Sequence, residues 1–313
     1  MGRLIPESFI ETLCEPNNLF ILGAGASAEF IKPGNGFYRK IGSLWLDGGG
    51  YSPRRSSSSI AKKIIESGVF RDGLDAAIIS SIPERGGEWL VSYILSLPNS
   101  IQRFFSYEVF KKFQRPFSIV NYNHDNLARL SLKNVEEVTI QEPHGSSHPR
   151  LCELFDSFEV QELADFDIPA PFSERLIMLR KEPSEFSRSS FFSYLDRYRT
   201  YLNKVIFIGY TFSQQPDGSR DDSISFEYFS EYLHCRKVFI VSPNPEQLAE
   251  ELRDISRSKN IQPIPLKWNL FSEAVIRLRI LFNIESRSFS CRFTDDVERM
   301  YSQLESEEEN QIQ

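Results

Sequence analysis

Phe20-Ile21-Leu22-Gly23-Ala24-Gly25-Ala26-Ser27-Ala28 is the stretch on which the fold turns. An apolar run passes without a polar break into a turn of small residues. Such a turn lets backbone N–H groups approach a diphosphate at the start of the following helix. Gly23, Gly25 and Ala28 satisfy the GxGxxA spacing. The same residues also suit a tight strand-to-helix turn that holds no ligand. An ordinary dinucleotide dehydrogenase would continue with an unbroken helix, a second strand and an acidic residue near its end. Here Lys32-Pro33-Gly34-Asn35-Gly36 halts the helix early. Asp47 lies about 20 residues on, but Leu44-Trp45-Leu46 makes a poor buried strand. The pattern therefore argues for nucleotide chemistry and against a dehydrogenase.

Working outward, five short apolar runs read as buried parallel strands. They are Leu19 to Leu22, Phe117 to Val120, Val135 to Ile140, Val205 to Ile208 and Val238 to Val241, the third interrupted by polar residues. Runs without polar alternation suit a sheet covered on both faces. Helical spacing follows Asp221-Asp222, in Ile224, Phe226, Phe229 and Leu233. It recurs over Leu248 to Ile255 after Pro245, and over Phe271 to Leu281. Strands alternating with helices predict an α/β fold, a Rossmann-like open parallel sheet with helices on both faces.

Two intervals break the rhythm. Residues 50–115 predict a mostly helical insertion, opening on the Arg/Ser run at 53–59, which reads as a solvated loop or a phosphate contact. A second insertion covers about 150–200 and ends in the aromatic helix Phe191 to Tyr198, a packing surface or a ligand wall. The expected organisation is one catalytic domain over 1–285, then a C-terminal helix and acidic tail over 286–313. The tail, Glu305-Ser306-Glu307-Glu308-Glu309-Asn310, is expected to fray.

Composition narrows the function. At 313 residues, 41% hydrophobic, the chain can bury a sizeable core and is not a disordered or collagen-like protein. Its 36 Lys+Arg against 43 Asp+Glu leave −7, so direct nucleic-acid binding over a general basic surface is not expected. Cys14, Cys152, Cys235 and Cys291 form no CxxC pair, so neither a zinc knuckle nor a disulfide scaffold is expected, and no metal. No apolar run reaches the ~20 residues of a membrane helix, and Met1 to Glu7 is no signal peptide. The expectation is a soluble, cytoplasmic protein without a membrane partner.

Polar residues gather where the predicted strands end, the rim at which open α/β sheets bind ligands. The second strand runs into Asn121-Tyr122-Asn123-His124-Asp125. Asn123 can donate and accept hydrogen bonds to a ribose or hold a water, and Asp125 can fix the loop; both can equally cap the next helix. The third leads into Glu142-Pro143-His144-Gly145-Ser146-Ser147. His144, one of four histidines with His124, His148 and His234, suits a general base, and equally an exposed or structural side chain. The fourth ends in Gly209-Tyr210-Thr211-Phe212-Ser213 and the fifth in Ser242-Pro243-Asn244. Any one of these is ordinary turn chemistry; together they describe a nucleotide crevice.

The order GAGAS, Asn-x-Asp, His-Gly-Ser, Gly-Tyr-Thr-Phe and a strand ending in Asn-Pro resembles the sirtuin-like NAD-consuming domain family, in its bacterial antiviral-defence branch. The resemblance covers about residues 17–285. It implies that Gly23, Ala24, Gly25 and Ser27 cradle the diphosphate of NAD. It implies that Asn123 positions the nicotinamide ribose and a water, that Asp125 supports the site and that His144 is the catalytic histidine. Gly209, Thr211 and Ser213 would line the phosphate or ribose side, with Asn244 near the adenosine ribose. The chain departs from protein deacetylases twice. It lacks paired cysteines for a zinc module, and it has Gly36-Phe37-Tyr38-Arg39 in place of a Pro-Asp-Phe-Arg element. The implied activity is hydrolysis of NAD, a substrate, to nicotinamide and ADP-ribose, depleting NAD in defence against phage. A catalytically idle NAD- or ADP-ribose-binding assembly subunit and an NAD-dependent protein deacylase are the alternatives. The implied partners are further copies in a homo-oligomer and a separately encoded protein such as a ring-forming ATPase.

Overall fold

Alternation inside the apolar runs decides which face of the sheet each side chain covers. The computed structural model describes residues 4–27, 117–123, 128, 132, 138–141, 143, 192–210, 212, 223–234, 236–258, 260–278 and 291–312. Within them lie six strands: β1 (Asn18–Leu22), β2 (Phe117–Asn121), β3 (Val138–Gln141), β4 (Lys204–Ile208), β5 (Lys237–Ser242) and β6 (Ile261–Pro265). Every pairing is parallel, in the order β3-β2-β1-β4-β5-β6. That is the doubly wound order, in which the winding reverses between β1 and β4 and leaves a crevice beyond their carboxyl ends.

Phe20, Leu22, Phe117, Ile119, Ile206, Ile208, Phe239 and Val241 bury one face. They pack against α1 (Glu7–Leu13), α4 (Trp268–Arg277) and α5 (Cys291–Ile312). Leu19, Ile21, Val205, Phe207, Val238 and Ile240 bury the other. Here the cover is α2 (Ser223–Tyr232), α3 (Glu246–Ser256) and the short helix at 192–197. Each large apolar side chain so buried contributes about 1.5–3 kcal/mol, against a net of about 1 kcal/mol for a hydrogen bond. The two-sided apolar pattern therefore drives burial of both faces, and helices cover each of them.

The five expected strands are present, extended or trimmed by a few residues, and helices occupy the spacings read at 224–233, 248–255 and from 271. Three features were not anticipated. β6, Ile261-Gln262-Pro263-Ile264-Pro265, carries two prolines, which argue against a strand in the middle of a sheet. It lies at the sheet edge instead. Val238 N–H donates to the Asn260 carbonyl (3.0 Å). Alternation then turns 262 and 264 toward β5 and both prolines away from it. Helix α1 follows Pro6 and buries Phe9, Ile10 and Leu13. Asn18 Nδ2 closes its end, donating to the carbonyls of Thr12 (2.7 Å) and Glu15 (2.7 Å).

The third is the acidic tail, which does not fray but continues α5 to Ile312. Phe293, Val297, Tyr301 and Leu304 are buried in the same core as the sheet face. Lys267 pairs with Glu308 at 2.7 Å, and Tyr301 Oη accepts from the Lys267 N–H at 3.0 Å while donating to Glu305 (3.2 Å). Burial of an apolar stripe thus outweighs the repulsion among neighbouring glutamates. No helix among the described residues is long and apolar enough to cross a membrane. The expected helical insertion at 50–115 and most of the second one lie outside the described residues.

Candidate functional site

The strand ladders continue one residue past three strand ends, and this builds the floor of the crevice. Tyr122 N–H donates to the Leu22 carbonyl (3.0 Å), Gly23 N–H to Ile208 (3.0 Å) and Gly209 N–H to Val241 (2.9 Å). Beyond β1 the chain turns through a short 3-10 helix, Ala24–Ala26. Gly25 N–H donates to the Gly209 carbonyl at 3.0 Å, which ties the turns after β1 and β4 directly together.

The glycines are required by how close these backbones come. Gly209 has φ +60, and a Cβ there would lie 2.4 Å from Gly25 Cα. A Cβ on Gly23 would lie 2.5 Å from the Gly209 oxygen and 2.6 Å from Tyr210 Cβ. The space left by Gly23 lets Tyr210 cross beside the end of β1 and stack on Tyr122, with ring centroids 4.5 Å apart and planes at 23°. Phe212, buried with φ 45, meets Tyr210 edge-on at 4.4 Å. Sequence reasoning read the Gly-Tyr-Thr-Phe segment for its glycine and hydroxyls and missed this aromatic clamp. The available signal was large aromatics placed opposite a glycine turn.

The donors of the turn are largely committed. Ala26 N–H reaches the Gly23 carbonyl (2.9 Å) and Ser27 N–H reaches that of Ala24 (3.3 Å). With Gly23 and Gly25 also engaged, Ala24 carries the one N–H from 23 to 27 without a partner among the described residues.

Asn123 is held over this turn. It is 8% exposed, its backbone N–H donates to Asn121 Oδ1 (3.2 Å), and its Nδ2 donates to the Gly23 carbonyl (2.9 Å) and to Ser27 Oγ (3.1 Å). A carbonyl only accepts, so the nitrogen of the carboxamide must face Gly23. Both of its protons are then used, and the chemistry left to Asn123 is acceptance at Oδ1. No charged side chain stands among the described residues 22–27, 121–123, 208–210 and 242–244.

The structure brings Gly23, Ala24, Gly25, Ser27, Asn123 and Gly209 together. Asn244 is exposed past the end of β5 on the same rim, its N–H toward Ser242 Oγ at 3.4 Å. Asp125, His144, Thr211 and Ser213 lie outside the described residues. β3 ends at Gln141 on this rim, and Pro143 beyond it is buried.

No model of a known protein family matches the chain, and neither does any curated protein. Among solved structures, the chain is similar to a triple mutant of a Sir2 homologue in complex with 2'-O-acetyl ADP-ribose. The identity is 14% and the TM-score 0.46, over 92% of this chain and all of that one.

Proposed function

We propose that this protein is an NAD glycohydrolase, cleaving the bond between nicotinamide and ribose to release nicotinamide and ADP-ribose. The observation that carries the reading is Asn123. Its carboxamide is pinned at the switch point of a doubly wound sheet, donors spent and oxygen left to accept from a sugar hydroxyl or a water.

In the reaction, the C1'–N bond breaks with its electron pair moving to the pyridinium nitrogen. Nicotinamide therefore leaves neutral and needs no proton. The sugar passes through an oxocarbenium-like transition state, as in other glycosidic cleavages. Asn123 Oδ1 orients the ribose or the attacking water. His144, supported by Asp125, takes the proton as the water oxygen bonds to C1' and passes it to solvent. The turn at Gly23, Ala24 and Gly25 faces the diphosphate, with Gly209, Thr211 and Ser213 on the ribose side and Asn244 toward the adenosine. The biological reading follows from the same resemblance. A homo-oligomer in the cytoplasm, restrained by a partner such as a ring-forming ATPase, would deplete NAD on phage infection.

Purified protein incubated with NAD should release free nicotinamide. Asn123→Ala and His144→Ala should each lower turnover by about 10²–10⁴-fold while ADP-ribose still binds in calorimetry. Wild-type protein that binds ADP-ribose without releasing nicotinamide, with and without candidate partners, would make it a binding subunit. NAD-dependent release of an acyl group from a lysine peptide would make it a deacylase.

A further inference from the structure

We propose that Ser27 is a positioning residue, which acts by fixing the carboxamide of Asn123 and not by holding a phosphate. The inference rests on the NAD-cleavage reading for its kinetic consequence, but its geometric basis is independent of it. Ser27 and Asn123 stand 96 residues apart in the chain, and both are buried, 4% and 8% exposed. The Ser27 hydroxyl oxygen accepts from Asn123 Nδ2 at 3.1 Å, the second of only two donors on that nitrogen. With the Gly23 carbonyl alone as partner, at 2.9 Å, the carboxamide is anchored through one proton. The second bond to Ser27 Oγ adds a fixed point on a different part of the turn, and so fixes the plane of the group and the direction of its Oδ1. The backbone N–H of Ser27 is bonded to Ala24 at 3.3 Å, so the residue offers an anion no free amide, and its hydroxyl proton is the one donor whose use the affinity measurement below decides.

A phosphate ligand and a positioning residue fail differently when removed. Loss of a phosphate contact weakens ground-state binding, whereas loss of orientation lowers kcat with affinity kept. The test uses full-length wild-type protein and the variants Ser27→Ala, Asn123→Ala and the double variant. ADP-ribose affinity is read by calorimetry and nicotinamide release by kinetics. Ser27→Ala should lower kcat about ten-fold and leave ADP-ribose affinity within about two-fold. It should cost nothing further in the Asn123→Ala background, because its effect runs through that side chain. A loss of ADP-ribose affinity with kcat unchanged, or an additive loss in the double variant, would overturn the proposal.

A readout that needs no activity separates this inference from the proposed function. In ¹⁵N-asparagine-labelled protein, the side-chain amide pair of Asn123, identified by its disappearance in Asn123→Ala, should exchange slowly with solvent and speed up in Ser27→Ala. An unchanged exchange rate overturns the coupling even in an inactive protein. If wild-type protein releases no nicotinamide, the activity reading fails while the amide signal still decides the Ser27–Asn123 link. Should Ser27→Ala not fold, Ser27→Cys, close in volume with a weak sulfur acceptor, reads the same way.

Discussion

Gly209→Ala adds one methyl, and the structure leaves it nowhere to go. Its Cβ would stand 2.4 Å from Gly25 Cα and 2.6 Å from Ala26 N, all backbone that cannot rotate aside, at a φ of +60. Strain of this kind costs on the order of 1–3 kcal/mol, and forced overlap in a packed site adds a similar amount. The variant should unfold at a clearly lower urea concentration than wild type; a midpoint unchanged within error would show that the two turns can separate freely. The need for small residues at 23 and 25 was legible in the sequence, because a strand running into Gly-Ala-Gly has few other uses. Their partner was not. Gly209 is far along the chain, and nothing local marks which distant backbone presses on the turn. Nor does sequence show that the amides of Gly23 and Gly25 are taken by Ile208 and Gly209. The place of Asn123 at a strand-end rim was legible, but its orientation, with both donors spent on Gly23 and Ser27, emerges only from the fold.

Helix α5 separates two kinds of contact that look alike in sequence. Lys267 and Glu308 form an ion pair at 2.7 Å, but both side chains are about a third exposed, at 35% and 37%. Such a pair is worth about 0–1 kcal/mol after screening. Leu304 is buried in the core against the sheet, and Leu→Ala at such positions costs about 2–5 kcal/mol. Glu308→Gln should therefore leave chemical denaturation nearly unchanged, while Leu304→Ala lowers stability several-fold more; equal effects would mean that the helix is held by charge. At this scale the buried strands were the most readable elements, because a sheet covered on both sides demands runs such as Phe20-Ile21-Leu22 and Val205-Ile206-Phe207. The glutamates of 305–309 hid the stripe of Val297, Tyr301 and Leu304 that keeps α5 in place. Pro263 and Pro265 hid β6, since a rule that excludes proline from central strands says nothing about an edge.

For the molecule as a whole, buried phenols among the described residues take stability away at alkaline pH. Burial pushes Tyr232 up to about 12, only partly countered by Arg236 beside it, whose guanidinium lies 4.1 Å from the ring centroid. Burial also pushes Tyr301 up to about 12, with Glu305 adding to the rise. A folded pKa above the ordinary value of 10.0 means that the folded state favours the neutral phenol. That contribution is whole below about pH 10 and is lost as the pH climbs toward 12. Phenolate absorbance should accordingly show a late-titrating class that ionises together with unfolding, and Tyr232→Phe should shrink that class. Titration of every tyrosine near pH 10 with the fold intact would contradict the burial described for these two rings.

The two prolines of β6 reach beyond their own strand. On the outward side of that edge, Pro263 and Pro265 have no hydrogen to give, which leaves Ile261 as the one residue of β6 with an outward donor. A neighbouring molecule seeking to extend the sheet there would find acceptors with almost nothing to answer its own carbonyls. Prolines so placed discourage amyloid-like stacking and strand exchange along that margin, and shift the balance of any contact there toward side chains.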